Sequence, residues 1–176
     1  MFTIEIKDAE VERALTGLQA LLSDLSQVMR QIGDALVQST QDRMLIGQSP
    51  DGSPFAPRAA STLKAYEKKG AKPGPYPLWL EGDMRRGINF RSGPDFVSVG
   101  SNALQAAVMQ FGAKQGQFGA RMGRTRQKDG GPASRDYFHH LPWGDIPARP
   151  FLGLSDTDRS NILDIVREAF EARIAP

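Results

Sequence analysis

The chain has 176 residues, enough for one hydrophobic core and marginal for two, and its 40% hydrophobic and 24% charged content excludes wholesale disorder. It contains no cysteine, which excludes a disulfide framework, thiol catalysis and a cysteine-ligated zinc site. The net charge of +2 is unevenly spread: residues 113–135 carry six basic side chains against Asp129, residues 57–72 carry five against Glu67, and the rest is net acidic.

The opening "MFTIEIKDAEVERA" lacks the basic start and apolar stretch of a signal peptide. No run approaches the ~20 apolar residues that cross a bilayer, so the expectation is a protein that stays in the cytosol. Phe2, Ile4 and Ile6 alternate with polar residues, the period of a half-buried strand, and Asp8 is placed to cap a following helix. Val11, Leu15, Leu18, Leu22, Leu25, Met29, Ile32 and Leu36 then recur at alternating steps of four and three, a heptad seam. A helix from 9 to about 44 would be roughly 50 Å long, whereas a compact domain of this size has a radius of gyration of ~16 Å. The helix must therefore break or project, and its seam must pack on the C-terminal helix or on another chain. Leu18, Leu22, Leu25 and Met29 are expected to be buried, and Gly17 and Gly33 are possible bends.

A turn cluster at 47–57 leads to a short helix capped by Ser61 and ending at Gly70. A second short helix is expected after Gly82. Two alternating arms around Gly93-Pro94-Asp95 read as a hairpin, and Asn102 is placed to cap "ALQAAVMQFG", closed by Gly112. Residues 113–135 hold five glycines and the basic excess, and read as a long loop. In "IPARPFLGLS", Pro147 and Pro150 fix their own φ and push Ile146 and Arg149 towards extended conformations. This is a stiff arm. Phe151 and Leu152 should point to opposite sides, one into the core of the subunit and the other, with Arg149, towards an adjacent chain. Ser155 and Asp158 resemble a capping box for a last helix, whose apolar face runs from Ile162 to Ile174.

Catalysis finds no support. His139 and His140 are adjacent and the only histidines, with Asp136 and Asp145 at no recognisable ligand spacing. No nucleophile motif appears, and "GQFGARMG" lacks the Lys-Ser/Thr of a phosphate loop. No metal or cofactor is implied. The basic stretch (Lys114, Arg121, Arg124, Arg126, Lys128, Arg135) could follow a nucleic-acid backbone, meet an acidic protein surface, or be a solvated loop.

Three stretches, in this order, carry a resemblance. "SPDGSPFAPRAASTLKAY" is similar to P-D-G-x-P-W-x-P-L…T-L, and "LEGDMRRGINF" resembles G-x-L-R-x-S-I. "VSVGSNALQAAVMQFG…IPARPFLGLS" resembles V-x-V-G-t-n…Y-A-x-x-H-Q-F-G…I-P-A-R-P-F-L-G. Over residues 49–155 the chain resembles the phage virion morphogenesis family of Mu-like phages and prophages, also described as tail completion proteins. Met84, Gly87, Ala106 and Met109 depart from residues the family favours. The resemblance implies a non-enzymatic structural protein of the virion at the head–tail junction or the head-proximal tail end. It also implies a ring subunit, commonly of a hexamer, that meets other neck and tail proteins, with DNA in the channel as a candidate contact. The expectation is thus an α+β fold with a long N-terminal helix, a small antiparallel sheet, a C-terminal helix and a long basic Gly-rich loop. It forms a single domain over 1–176 with an extended loop or insert at about 113–145. The alternative is a basic nucleic-acid-binding accessory protein.

Overall fold

The computed structural model of the chain describes residues 9–80, 82–125 and 135–174. The strand expected at 2–6, the cap at Asp8, and Arg126 and Lys128 lie outside them. Among the described residues the fold is α+β, with six helices and two separate two-stranded antiparallel sheets. In chain order come α1 (Ala9–Ser23), α2 (Ser26–Ile46), α3 (Ala60–Lys68), α4 (Asp83–Arg86), β1 (Ile88–Ser92) and β2 (Val97–Ser101). They are followed by α5 (Ala106–Phe111), β3 (Ala120–Thr125), β4 (Arg135–His140) and α6 (Asp156–Ile174).

The long N-terminal helix breaks. Asp24 Oδ1 accepts the Ser26 N–H at 2.9 Å, which offers the backbone a local alternative to continuing the helix. Leu25 N–H then donates to Pro94 O, in the turn of the β1–β2 hairpin, at 3.2 Å. With the helix broken, the heptad seam does not stay on one buried face. Leu21 is buried at 7% exposure and Leu22 is 61% exposed, the reverse of what the heptad predicts inside the chain. Leu18, Leu25 and Met29 are half-buried. Beyond the break, Val28, Ile32, Leu36 and Thr40 are buried at steps of four, the stripe of a straight helix.

Helix α2 organises the molecule. Its first half joins Leu21 in a cluster covered by Ile162, Ile165, Val166, Ala169 and Phe170 of α6, and α6 also packs on α1. Its far end delivers Met44 to a second cluster with Phe55, Met84, Ile88 and Phe151. Gly33 lies against the Phe90 ring of β1; a Cβ there would come within 2.2 Å of ring carbon Cδ2, so this glycine serves close packing rather than a bend.

The hairpin expected around Gly93-Pro94-Asp95 forms, with Phe90 opposite Val99. Helix α5 starts after Gln105, not at Asn102, and no side chain caps it. Gly112 closes it in the left-handed region (φ 74°). The stretch 113–135 is not all loop. Residues 120–125 pair with 135–140 as a second hairpin, with Met122 opposite Phe138.

Candidate functional site

The 146–155 arm is pinned along its length. Ala113 and Ile146 exchange both backbone hydrogen bonds, at 2.9 and 2.7 Å. Arg149 N–H donates to Met109 O at 2.7 Å. Beyond Pro150, Gln110 substitutes for a neighbouring strand. Its Oε1 accepts the N–H of Phe151 and of Leu152, each at 3.0 Å, and its Nε2 donates to Leu152 O at 2.9 Å. An extended segment whose backbone would otherwise be unsatisfied is thus held by one amide.

Phe151 is the anchor: it is 0% exposed, at the centre of the second cluster, with Leu152 half-buried against the same cluster. Arg149 does not face outward. It is 7% exposed, and its Nε and Nη2 each donate at 2.7 Å, to Ala56 O and Pro57 O. The stiff arm feeds a buried side chain into the core and clamps the turn-rich segment 56–57 to itself. Two of the three guanidinium nitrogens of Arg149 thus meet carbonyls of its own chain, an internal role that the sequence reading did not foresee beside the expected one towards an adjacent chain.

At the end of the arm, Ser155 Oγ accepts the Asp158 N–H at 3.1 Å while Asp158 Oδ2 accepts the Ser155 N–H at 2.8 Å, the reciprocal cap expected from sequence. Asp158 does more than cap. It is buried, hydrogen-bonded by Ser39 Oγ, and takes Arg43 Nη1 at 2.7 Å on Oδ2. Burial alone would raise its carboxyl pKa, but the hydrogen bonds from Ser39 and Ser155, with the Arg43 charge, outweigh burial and hold it below the usual carboxylate range. Arg43 Nη2 also donates to Gly153 O at 3.1 Å. Together these contacts lock the arm's exit onto α2.

The structure brings Arg149, Phe151 and Leu152 together and leaves the basic residues elsewhere. Lys114 is exposed and pairs with Asp145 at 3.0 Å. Hydrogen bonds from the Gln115 backbone and from Lys114 lower the Asp145 carboxyl pKa. Arg121 is exposed on β3, and Arg124 and Arg135 fall on β3 and β4. Sequence reasoning missed Gln110, Arg43 and Arg58. Arg58 Nη1 donates to Gly74 O at 2.9 Å and its Nη2 to Trp79 O at 2.8 Å, bracing a turn against the segment ahead of α3. The one available signal was Arg43, a charge falling on the apolar stripe of a helix.

Among the described residues no group of three or more His, Asp or Glu side chains could hold a metal ion, and no helix is long and apolar enough to cross a membrane. What the site provides is a rigid scaffold with apolar groups left on its outside: Phe111, Phe118, Met122, Phe138 and Trp143 are all exposed.

No solved structure matches the chain. It is 27% identical to capsid assembly protein G of Escherichia phage Mu over 174 residues, 95% of this chain and 97% of that protein. It is also 27% identical to tail completion protein S of Escherichia phage P2 over 161 residues, 88% of this chain and 91% of that one. The phage virion morphogenesis profile matches residues 6–171, and the chain belongs to that family.

Proposed function

We propose that the protein is a non-enzymatic structural subunit of the phage virion. In this reading it acts in tail completion and head–tail joining, as one member of a ring at the head–tail junction or head-proximal tail end. The relatives' names pull in two directions, one to capsid assembly and one to tail completion, and a position between head and tail accommodates both. The observation that carries the reading is a pair of unlike exposed apolar surfaces. Strands β3 and β4 pack chiefly on each other, with Met122 and Phe138 paired on one face and Phe138 72% exposed. On α1, Leu15 and Leu22, seven residues apart on one stripe, are exposed as well. Exposed apolar side chains grouped on one face are where a protein contact would form. Two different patches suit head-to-tail contacts, which close into rings when the rotation allows.

The second reading, a basic nucleic-acid-binding accessory protein, draws on the same hairpin, since a two-stranded ribbon fits a major groove and this one is basic. The apolar Met122–Phe138 face favours a protein surface over phosphates. Light scattering and electron microscopy of the purified protein test the ring. The parent should associate at micromolar concentration and Phe138→Glu should not, while remaining folded. A parent that stays monomeric and binds bulk duplex DNA with a steep salt slope would replace the first reading by the second.

A further inference from the structure

A cleft of about 400 Å³ opens beside the arm, bounded by the 77–80 turn, α3, α4 and α5. That volume is within the range of ligand sites. Its body is apolar, with Leu78, Trp79, Met84 and Met109, and two guanidiniums, Arg58 and Arg149, line it as well. Three features set it apart from a packing defect.

The first is charge. Neither guanidinium has a carboxylate partner among the described residues; both are held by backbone carbonyls. Among the described residues, the carboxylates on the rim are engaged elsewhere, Asp145 by Lys114 and Asp83 by Arg86. Burial first and then the nearby Arg58 charge lower the Arg149 pKa, against a smaller opposing contribution from Tyr66. The second is geometry. Arg149 Nη1 makes the weakest contacts of its guanidinium, 3.3 Å to Pro147 O and 4.0 Å to Met109 Sδ. Met109 itself lines the cleft. The third is strain. Leu78 on the wall has φ 67°, the only left-handed non-glycine residue among those described. A bulky side chain held there is strained, and such residues cluster at ligand clamps.

We propose that this cleft receives a segment of a partner protein in which an apolar side chain adjoins a carboxylate, the side chain entering between Leu78, Met84 and Met109 and the carboxylate meeting Arg58 and Arg149. Arg149 Nη1, the least engaged nitrogen, offers the carboxylate a charge-assisted bond, which in a partly dry cleft is stronger than a neutral one. The inference goes beyond ring formation and uses a surface separate from the Met122–Phe138 face. That the partner is a virion neighbour rests on the proposed function.

The chain has two tryptophans, Trp79 in the cleft and Trp143 outside it, so their indole NMR signals give a probe and an internal control. The full chain is titrated with 4-phenylbutyrate, its neutral amide and inorganic phosphate. The acid should shift Trp79 and not Trp143, and bind about tenfold more tightly than the amide, the weight of one charge-assisted hydrogen bond. Arg58→Lys, which keeps the charge and loses the fork, should narrow that ratio. Equal binding of acid and amide, a Trp79 signal that ignores both, or a response to phosphate alone would overturn the proposal. The source is tested with a photo-crosslinking residue at Leu80 in phage-producing cells. The crosslinked peptide should carry Asp or Glu beside an apolar residue, and the crosslink should weaken in Arg58→Lys. No crosslink in assembled particles would overturn a protein partner. Oligomeric state measured on the same variants separates failure of the cleft from failure of the ring.

Discussion

Asp158 and Arg43 lie 115 residues apart in sequence, yet the Asp158 carboxylate takes the Arg43 guanidinium at 2.7 Å in a nearly dry pocket between α2 and the start of α6. The same carboxylate caps α6 and holds Ser39, so one side chain joins the end of the arm to the central helix. Its removal leaves Arg43 buried without countercharge. Breaking a buried pair from one side costs about 3–5 kcal/mol, so Asp158→Ala should lower unfolding free energy by that order in a denaturant titration. A loss below about 1 kcal/mol, the worth of an exposed pair, would show that the pair is solvated in solution.

The same residue gives a pH dependence. Its folded-state carboxyl sits below the ordinary aspartate value of 3.8, so around that pH the unfolded chain binds more protons and stability rises with pH. The contribution is fully present above about pH 4–5 and is lost as pH falls through the lower folded value. Thermal melts from pH 7 to 3 should therefore show parent and Asp158→Ala converging at the acidic end. A difference that stays constant to pH 3 would contradict the depressed pKa.

Gln110 holds the arm by three hydrogen bonds, with one acceptor shared between two backbone N–H groups. Gln110→Ala unpairs the N–H groups of Phe151 and Leu152 and the Leu152 carbonyl, each worth about 1–3 kcal/mol if left buried and unmade. The expected result is lower stability together with faster amide exchange at Phe151 and Leu152. Gln110→Glu keeps the acceptor and should protect those two amides better than alanine does. Parent-like exchange at both amides in the alanine variant would mean the arm is held by Phe151 alone.

The first thirty-six residues show what a sequence conveys and where it stops. The heptad spacing identified helix and, beyond the break, the buried Ile32 and Leu36, but it assumed one continuous rod and so misplaced the buried face of α1. Ser23 and Asp24 end α1 because their side chains bond to nearby backbone, Ser23 Oγ to Ala20 O and Asp24 Oδ1 to Ser26 N–H, and that choice is stabilised by Pro94 from a distant turn. Local signals also located the β1–β2 hairpin, the helix after Gly82 and the Ser155–Asp158 cap. They missed β3, whose "ARMGRT" alternates only weakly and depends on pairing with "RDYFHH". The stiffness of the arm was readable from its prolines. The direction of Arg149 was not, because it is set by carbonyls about ninety residues earlier.

Leu21 and Leu22 test the break directly. Leu21→Ala removes a side chain packed against α6 and should cost about 2–5 kcal/mol. Leu22→Ala, on the exposed side, should leave monomer stability within about 0.5 kcal/mol. Its effect should appear instead in self-association, if α1 contributes to the ring. Reversed stabilities would restore the continuous heptad.

Gly33→Ala separates helix propensity from packing. In an exposed helix the change gains about 1 kcal/mol. Here the added methyl meets the Phe90 ring, and overpacking a core typically costs about 1–3 kcal/mol. The variant should be destabilised, and Phe90→Leu, which removes the ring atoms in the way, should recover part of the loss. A more stable Gly33→Ala would show that Phe90 moves aside freely.

Arg149 gives the sharpest division between an internal and an external role. A residue facing a neighbouring chain would weaken assembly on truncation and leave the monomer intact. In the structure Arg149 is buried and ties its arm to Ala56 and Pro57, so Arg149→Ala leaves two carbonyls without their donor beside a cavity. Hydrogen bonds to charged groups are each worth about 1.5–3 kcal/mol. The expectation is a destabilised monomer with increased amide exchange in the segment around Phe55, detectable before any assembly step. Arg149→Lys keeps the charge but cannot reach both carbonyls with a planar fork, so it should recover only part of the stability. Circular dichroism melts and hydrogen exchange on the purified variants decide the matter. If Arg149→Ala melts with the parent and fails only in particle completion, the bonds to Ala56 and Pro57 do not hold the arm and the guanidinium acts between chains alone.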